Sequence, residues 1–324
     1  MIKVGIVGYG NLGRGVTIAV NNASDLECVG IFTRRDPKLL NPVVNFPVYS
    51  TEELFKFKEQ IDVLILCGGS ATDLPENTAK MLKDFNTVDS FDNHGKIPEY
   101  YEKLSAIAKE SGKLAAISIG WDPGVFSIAR MLFGAVLPSG KDYTFWGKGV
   151  SQGHSDAIRR IDGVKNAIQY TIPKEEALKE VRGGTNPELS ARDKHLRECF
   201  VAVEEGADKV KIEHQIKSMP NYFEPYDTIV NFVSEQEVKT MQQKLSHGGF
   251  VIRSGNTTSE NKELLELSLK LDSNPEFTGS VLTAYARAIA RLAKEGKSGV
   301  GTVYDVPLKY LSPMSEEELR AHLL

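Results

Sequence analysis

Ile2-Lys3-Val4-Gly5-Ile6-Val7-Gly8-Tyr9-Gly10-Asn11-Leu12-Gly13 opens the chain after its methionine. The first half is a short apolar run rich in β-branched residues, which reads as a strand buried in a parallel sheet. The second half is a G-x-G-x-x-G pattern. Glycine is common, so the pattern alone is weak. Here it follows a strand directly and leads into helical spacing through Val20, the setting in which it binds a dinucleotide. Gly8 makes the tight turn, Gly10 lets backbone approach a pyrophosphate, and Gly13 lets the helix pack closely on the strand. The helix start then offers unpaired N–H groups and the positive end of its dipole to the phosphates.

Outward from this stretch the same unit repeats. Residues 27–32, 61–66, 86–92 and 114–119 read as strands, and 51–60, 75–85 and 98–112 as helices, with Thr51 as a helix cap. Strands alternating with helices predict an α/β fold, a doubly wound (Rossmann-type) parallel sheet, over residues 1–120. After Gly120 the rhythm changes. Residues 143–147, 164–172, 208–216 and 228–234 read as alternating strands of a mixed sheet in an α+β domain, with 182–190 as a loop. Residues 260–271 and 275–295 read as helices, the second packing back on the N-terminal domain. The expected organisation is a dinucleotide-binding domain over 1–120, completed by the helices of 275–324, and a substrate-binding domain over 121–274.

The 324 residues are 41% apolar and 25% charged, a balance that excludes disordered, collagen-like and coiled-coil classes. A net charge of −4 lacks the basic excess of a nucleic-acid binder. The three cysteines, Cys28, Cys67 and Cys199, are odd in number and none forms a CxxC pair. This argues against a disulfide framework or a thiolate metal site and fits reduced thiols in the cytoplasm. The six histidines show no HxH or HExxH spacing, so no metal is expected. The N-terminal apolar run is too short for a secretory signal, and no apolar run reaches the length of about 18 residues that a membrane span needs.

The tip of the second strand decides which dinucleotide. A carboxylate about 20 residues past the glycines would hold a ribose 2′-OH. Thr33-Arg34-Arg35 stands there, and Asp36 comes only after the arginines. A hydroxyl and two guanidiniums suit a 2′-phosphate, because Arg makes bidentate charge-assisted bonds to it. The sequence therefore predicts NADP(H) over NAD(H). Cys67-Gly68-Gly69-Ser70-Ala71-Thr72 follows a strand, and its small residues leave room for a flat cofactor beside the sheet. Cys67 has no histidine near it in sequence and reads as packing or cofactor contact.

Asp92 ends the stretch NTVDSFD, and Asp122 lies in Gly120-Trp121-Asp122-Pro123-Gly124. Ligands of open α/β sheets bind beyond the carboxyl ends of the strands, so both carboxylates are placed either to meet a substrate ammonium beside the nicotinamide or to cap a turn. The cofactor line is expected to continue through Ser90, Phe91 and Asp92 and through Trp121, Asp122, Pro123 and Gly124. His154 and Asp156 complete no triad, and a capping or structural role fits His154 and Ser155. His247-Gly248-Gly249 reads as a polar turn.

GYGNLGRG, IFTRRD, CGGSATD, DSFDNH, GWDPG, FWGKGVSQGHSDAIRRI, MPNYF, SHGG and LDSNPEFT together resemble the meso-diaminopimelate D-dehydrogenase family, from residue 2 to about residue 312. The resemblance implies reversible NADP-dependent oxidative deamination of the D-centre of meso-2,6-diaminopimelate, giving L-2-amino-6-oxopimelate and ammonia in lysine biosynthesis. It also implies a homodimer, with dimerisation in the second domain. It places Asp92 and Asp122 on the ammonium of the D-centre, Trp121 and Trp146 as the walls of that pocket, and Gln152 and Gly153 on the nearby carboxylate. The far end would be gripped by Thr171, Arg197, His247 and Asn274. Gln152 departs from members that carry Met there, which bears on substrate breadth. The competing readings are another NADP-dependent amino acid dehydrogenase or reductase, and a non-catalytic NADPH-sensing regulator that kept the fold.

Overall fold

The opening run forms the strand its residues favour: in β1 (Ile2–Val7) all residues from Val4 onward are buried. The glycine turn leads into α1 (Asn11–Asn21), followed by β2 (Leu26–Thr33), β3 (Val48–Ser50), a 3₁₀ helix over Thr51–Gln60, and β4 (Val63–Leu66). Then come α2 (Leu74–Met81), β5 (Thr87–Asp89), α3 (Ile97–Ser111), β6 (Leu114–Ala116) and α4 (Val125–Val136). Ser50, not Thr51, caps the 3₁₀ helix, because it forms a reciprocal capping box with Glu53. The strand expected over 86–92 stops at Asp89, so Asp92 lies in the turn beyond it.

The middle of the chain contains β7 (Gly140–Trp146), β8 (Gly149–Val150), α5 (Gln152–Arg159), β9 (Val164–Pro173), α6 (Glu175–Arg182), α7 (Ala191–Lys194) and β10 (His195–Val203). It continues with α8 (Lys209–Lys217), β11 (Asp227–Phe232), α9 (Glu235–Met241), β12 (His247–Asn256) and β13 (Lys262–Leu271). The chain closes with α10 (Asn274–Lys294), β14 (Gly299–Gly301) and α11 (Glu316–Leu323).

Three segments depart from what their sequences predict. Residues 208–216 form α8 rather than a strand: Asp208 caps the helix by accepting from Lys211 N–H, and Ile212 and Ile216, one turn apart, are the buried pair. Residues 260–271 form β13 rather than a helix. Leu265, Leu267, Leu269 and Leu271 alternate inward along it, and it pairs with β12 over its whole length. His247-Gly248-Gly249 begins β12 rather than making a turn.

This computed structural model describes every residue from Met1 to Leu324, and the chain separates into two units. Met1–Ile128 joins Pro275–Leu324, and Ala129–Asn274 forms the other; the division falls within α4 rather than at Gly120. The first unit is built on a seven-stranded, wholly parallel sheet in the order β14-β6-β5-β4-β1-β2-β3. Leu282, Tyr285, Ala286 and Ile289 of α10 share one apolar cluster with Val4, Ile6 and Val16. The backbones of α1 and α10 touch through glycine, since a Cβ on Gly279 would sit 2.5 Å from the carbonyl carbon of Gly15. Arg287 locks this arrangement with a two-pronged ion pair to Asp25 at 2.6 and 2.8 Å, which lowers the carboxyl pKa of Asp25. The second unit holds a mixed sheet, β11-β10-β9-β8, and an antiparallel sheet, β13-β12-β7. No helix is long and apolar enough to cross a membrane.

Candidate active site

The carboxyl ends of β1, β2 and β4 open on a cleft of about 810 Å³, lined among others by Gly8, Tyr9, Gly10, Thr33, Arg34, Arg35 and Cys67-Gly68-Gly69. The three fingerprint glycines differ there in measurable ways. Gly8 has φ +95°. A Cβ on Gly13 would lie 2.2 Å from the Gly8 carbonyl oxygen, so only glycine allows the helix to approach. A Cβ on Gly10 would meet nothing within 4 Å, so that position borders open space. Arg35 donates from its backbone to Thr33 Oγ1 at 3.1 Å and from its guanidinium to the Tyr9 carbonyl. Arg34 pairs with Asp73 at 2.9 Å, and the other oxygen of Asp73 accepts from Gly69 N–H at 3.1 Å. Open backbone at Gly10 and two guanidiniums at the tip of β2 fit a pyrophosphate and a 2′-phosphate, so these residues suit NADP. Burial raises the Cys67 thiol pKa, which fits packing rather than nucleophilic chemistry. Asp73 and Lys80 also line the cleft, and the sequence singled out neither. Asn11, Leu12, Ser70–Thr72, Ser90–Asp92 and Trp121–Gly124 do not line it.

Those last segments follow β4, β5 and β6. Asp92 N–H donates to Ser70 Oγ at 3.1 Å, which pins the turn after β5 to the turn after β4. In the turn after β6, Trp121 packs edge-on against Phe126 at 5.2 Å, and Phe126 N–H donates to the Trp121 carbonyl at 2.8 Å. Gly124, at φ +136°, permits this turn, since a Cβ there would fall 1.7 Å from the Gly120 oxygen. Between them lies Asp89, fully buried and missed in the sequence. It accepts from Phe91 N–H, Ser118 N–H, Thr78 and Tyr100.

In the second unit the antiparallel register sets Arg197 of β10 opposite Thr171 of β9. Arg197 is 5% exposed, donates to Thr171 Oγ1 and lies over the Tyr226 ring at 4.0 Å. No acidic side chain pairs with it, its Nε has no partner, and burial lowers its pKa. Gln169, on the same face and fully buried, reaches Thr171 Oγ1 at 3.5 Å. Trp146, at the end of β7, donates its backbone N–H to His195 Nε2 at 2.8 Å, and its ring stacks on that imidazole at 5.3 Å. Burial and the nearby Arg197 push His195 down to about 3, so it is neutral and a pure acceptor at Nε2. His247 needs Gly149: a Cβ there would lie 2.4 Å from the imidazole. Gln152 and Gly153 are exposed at the start of α5, and a Cβ on Gly153 would meet nothing within 4 Å. His154 bonds Ser151 Oγ at 2.8 Å and meets Tyr222 and Phe223 edge-on, a structural setting in which burial pushes it down to about 4. Asn274 N–H donates to the Leu245 carbonyl at 2.8 Å at the start of α10. Thr171 and Arg197 are thus brought into direct contact, and Gln169, His195 and Tyr226 join them without having been foreseen.

A family model described as the diaminopimelic acid dehydrogenase C-terminal domain matches residues 120–273. The chain is 58% identical to the meso-diaminopimelate D-dehydrogenase of Ureibacillus thermosphaericus over 100% of this chain and 99% of that one. A solved meso-diaminopimelate dehydrogenase from Clostridium tetani, a multiply substituted variant with DAP, superposes with a TM-score of 0.95 at 52% identity and full coverage of both chains. An engineered D-amino acid dehydrogenase bound to NADP+ superposes at 0.89 with 41% identity, covering 100% of this chain and 99% of that one. The chain belongs to the meso-diaminopimelate D-dehydrogenase family.

Proposed function

We propose that this protein is an NADP-dependent oxidoreductase that deaminates the D-centre of meso-2,6-diaminopimelate reversibly to L-2-amino-6-oxopimelate and ammonia, in lysine biosynthesis. Membership of the family supports the reaction class. One observation carries the substrate: Arg197 is a buried guanidinium with no anion of its own beside the Thr171 hydroxyl. A buried charge left without a partner is costly, and a ligand carboxylate supplies what is missing.

The unit of Met1–Ile128 with Pro275–Leu324 takes the cofactor in this reading, along the glycine turn, Thr33–Arg35, Cys67–Thr72 and the turns that carry Ser90–Asp92 and Trp121–Gly124. Bound NADP+ supplies the hydride acceptor. The chain supplies orientation and proton transfer. Asp92 and Asp122 hold the reacting amine, and one of them removes a proton so that nitrogen can stabilise the positive charge left as hydride departs. Water then replaces the nitrogen, which leaves as ammonia. Trp121 and Trp146 wall the D-centre, and Gln152 and Gly153 bind its carboxylate. Thr171, Arg197, His247 and Asn274 hold the distal amino acid end. Gripping both ends matters because a misplacement of about 1 Å costs on the order of 100-fold. The protein works as a cytoplasmic homodimer in this reading. Three free thiols fit that compartment, and Met131, Leu132 and Val136 of α4 expose an apolar patch of the kind a second copy covers.

The test is NADPH formation with meso-, LL- and DD-diaminopimelate, repeated with NAD+. Rapid reduction of NADP+ with the meso isomer supports the assignment. Tight NADPH binding without turnover on any isomer would overturn it in favour of a cofactor-sensing protein.

A further inference from the structure

β5 and β6 pair in parallel only as far as Val88 opposite Ala116. Beyond that point two turns leave the sheet, one carrying Asp92 and the other Trp121 and Asp122. The ladder no longer joins them, but Asp89 does. Its Oδ1 accepts from Phe91 N–H at 3.0 Å in the first turn and from Ser118 N–H at 3.2 Å in the second. Its own carbonyl accepts from Ile119 N–H at 2.9 Å. Its Oδ2 accepts from Tyr100 at 2.6 Å and Thr78 at 3.1 Å, anchoring the group to α3 and α2. Ser118 stands at φ +59°, a conformation that a non-glycine residue keeps only where its surroundings fix it. The Tyr100 ring stacks on Phe91 at 4.2 Å, which holds the residue just before Asp92 from a second side.

We propose that Asp89 is the positioning residue for the Asp92 and Asp122 pair, its one oxygen binding both turns so that the two carboxylates keep a fixed spacing. A buried carboxylate is costly unless its lone pairs are filled, and here four donors fill them. Burial raises its pKa while those donors oppose the rise. Such support behind reacting groups is what holds a site within a fraction of an ångström. The inference rests on the functional reading above for the roles of Asp92 and Asp122.

The experiment compares Asp89→Ala, Asp89→Asn and Tyr100→Phe with the parent chain. Three quantities are read: kcat and KM for meso-diaminopimelate per folded molecule, NADPH affinity, and hydrogen exchange of the peptides holding 90–93 and 117–122 without ligand. Asp89→Ala is expected to lose exchange protection in both peptides together and to lower kcat about 100-fold, with a much smaller change in KM. Asp89→Asn keeps an oxygen for both N–H groups and restores most of kcat and the protection. Tyr100→Phe keeps the stacked ring, removes one donor and lowers kcat about three- to tenfold, so the inference stays testable if the alanine variant does not fold. Unchanged kcat per folded molecule in Tyr100→Phe, or protection lost in one peptide but not the other, would overturn it. If the parent chain shows no turnover, the functional reading fails by itself and the exchange result alone decides whether Asp89 joins the turns.

Discussion

Asp89 and Arg197 are both ionisable side chains withdrawn from water, one in each unit, and the chain treats them oppositely. Asp89 has four donors from four different segments. Arg197 has a hydroxyl and an aromatic face but no anion. The same contrast separates two glycines of the fingerprint. The space beside Gly13 is filled by the protein's own Gly8 carbonyl, and the space beside Gly10 is open. Where the chain completes its own contacts it is building architecture. Where it leaves a costly group incomplete, the proposed function supplies a ligand as the missing partner.

The largest effect is expected a few residues beyond Asp89. Asp92→Asn leaves all four donors of Asp89 in place, yet should lower kcat by roughly 10²- to 10⁴-fold while NADPH affinity by fluorescence titration stays unchanged. Full turnover would move Asp92 to the architectural side of the comparison. Next comes the tip of β2. Arg34→Ala combined with Arg35→Ala should weaken NADP+ binding by roughly 10- to 150-fold and leave NAD+ binding nearly unaltered in calorimetry. Equal losses for both dinucleotides would mean the arginines do not read the 2′-phosphate.

The glycine pair sharpens the contrast further. Gly13→Ala should cost about 1–3 kcal/mol in denaturant unfolding, because the new methyl meets backbone that cannot yield. Gly10→Ala should leave stability intact and weaken NADP+ about tenfold, and a destabilised Gly10→Ala protein would refute the reading of open space there.

A further effect is with pH. His195 and His154 are held near 3 and 4, below the ordinary value of 6.5, chiefly by burial. Depressed folded-state values mean that the unfolded chain binds protons first. The stability they confer is complete above about pH 6.5 and fades as pH falls toward 4 and 3. From about pH 7 to about pH 5 each histidine should remove at most about 2 kcal/mol. A flat unfolding curve across that interval would show that the two rings are solvated.

The parallel sheet was legible because its strands are continuous apolar runs and its glycine turn stands in the right setting. The errors came where period and propensity disagreed. Residues 208–216 alternate loosely enough to suggest a strand, but the spacing that matters is Ile212 to Ile216 behind an Asp208 cap, and Val210 faces solvent. Residues 260–271 are rich in Glu, Leu and Lys, which favour helix. Pairing with β12 overrode that preference, and Leu264 hid the period of two. Thr171 and Arg197 came from family motifs, yet strand register alone sets them opposite each other. Asp89 left a usable signal, a carboxylate in a strand buried on both faces, which had to have partners. Gln169 and Tyr226 left none, because their place beside Arg197 depends on pairings that sequence spacing does not show.

In the proposed function Arg197 is kept incomplete for a ligand carboxylate. Its most direct test is to measure unfolding free energy and KM for meso-diaminopimelate on one preparation of Arg197→Met. The expected result is stability equal to or above that of the parent chain, with KM raised by roughly 10- to 150-fold. Stability lowered by more than about 2 kcal/mol with KM unchanged would contradict it and make Arg197 architecture, as Asp89 is.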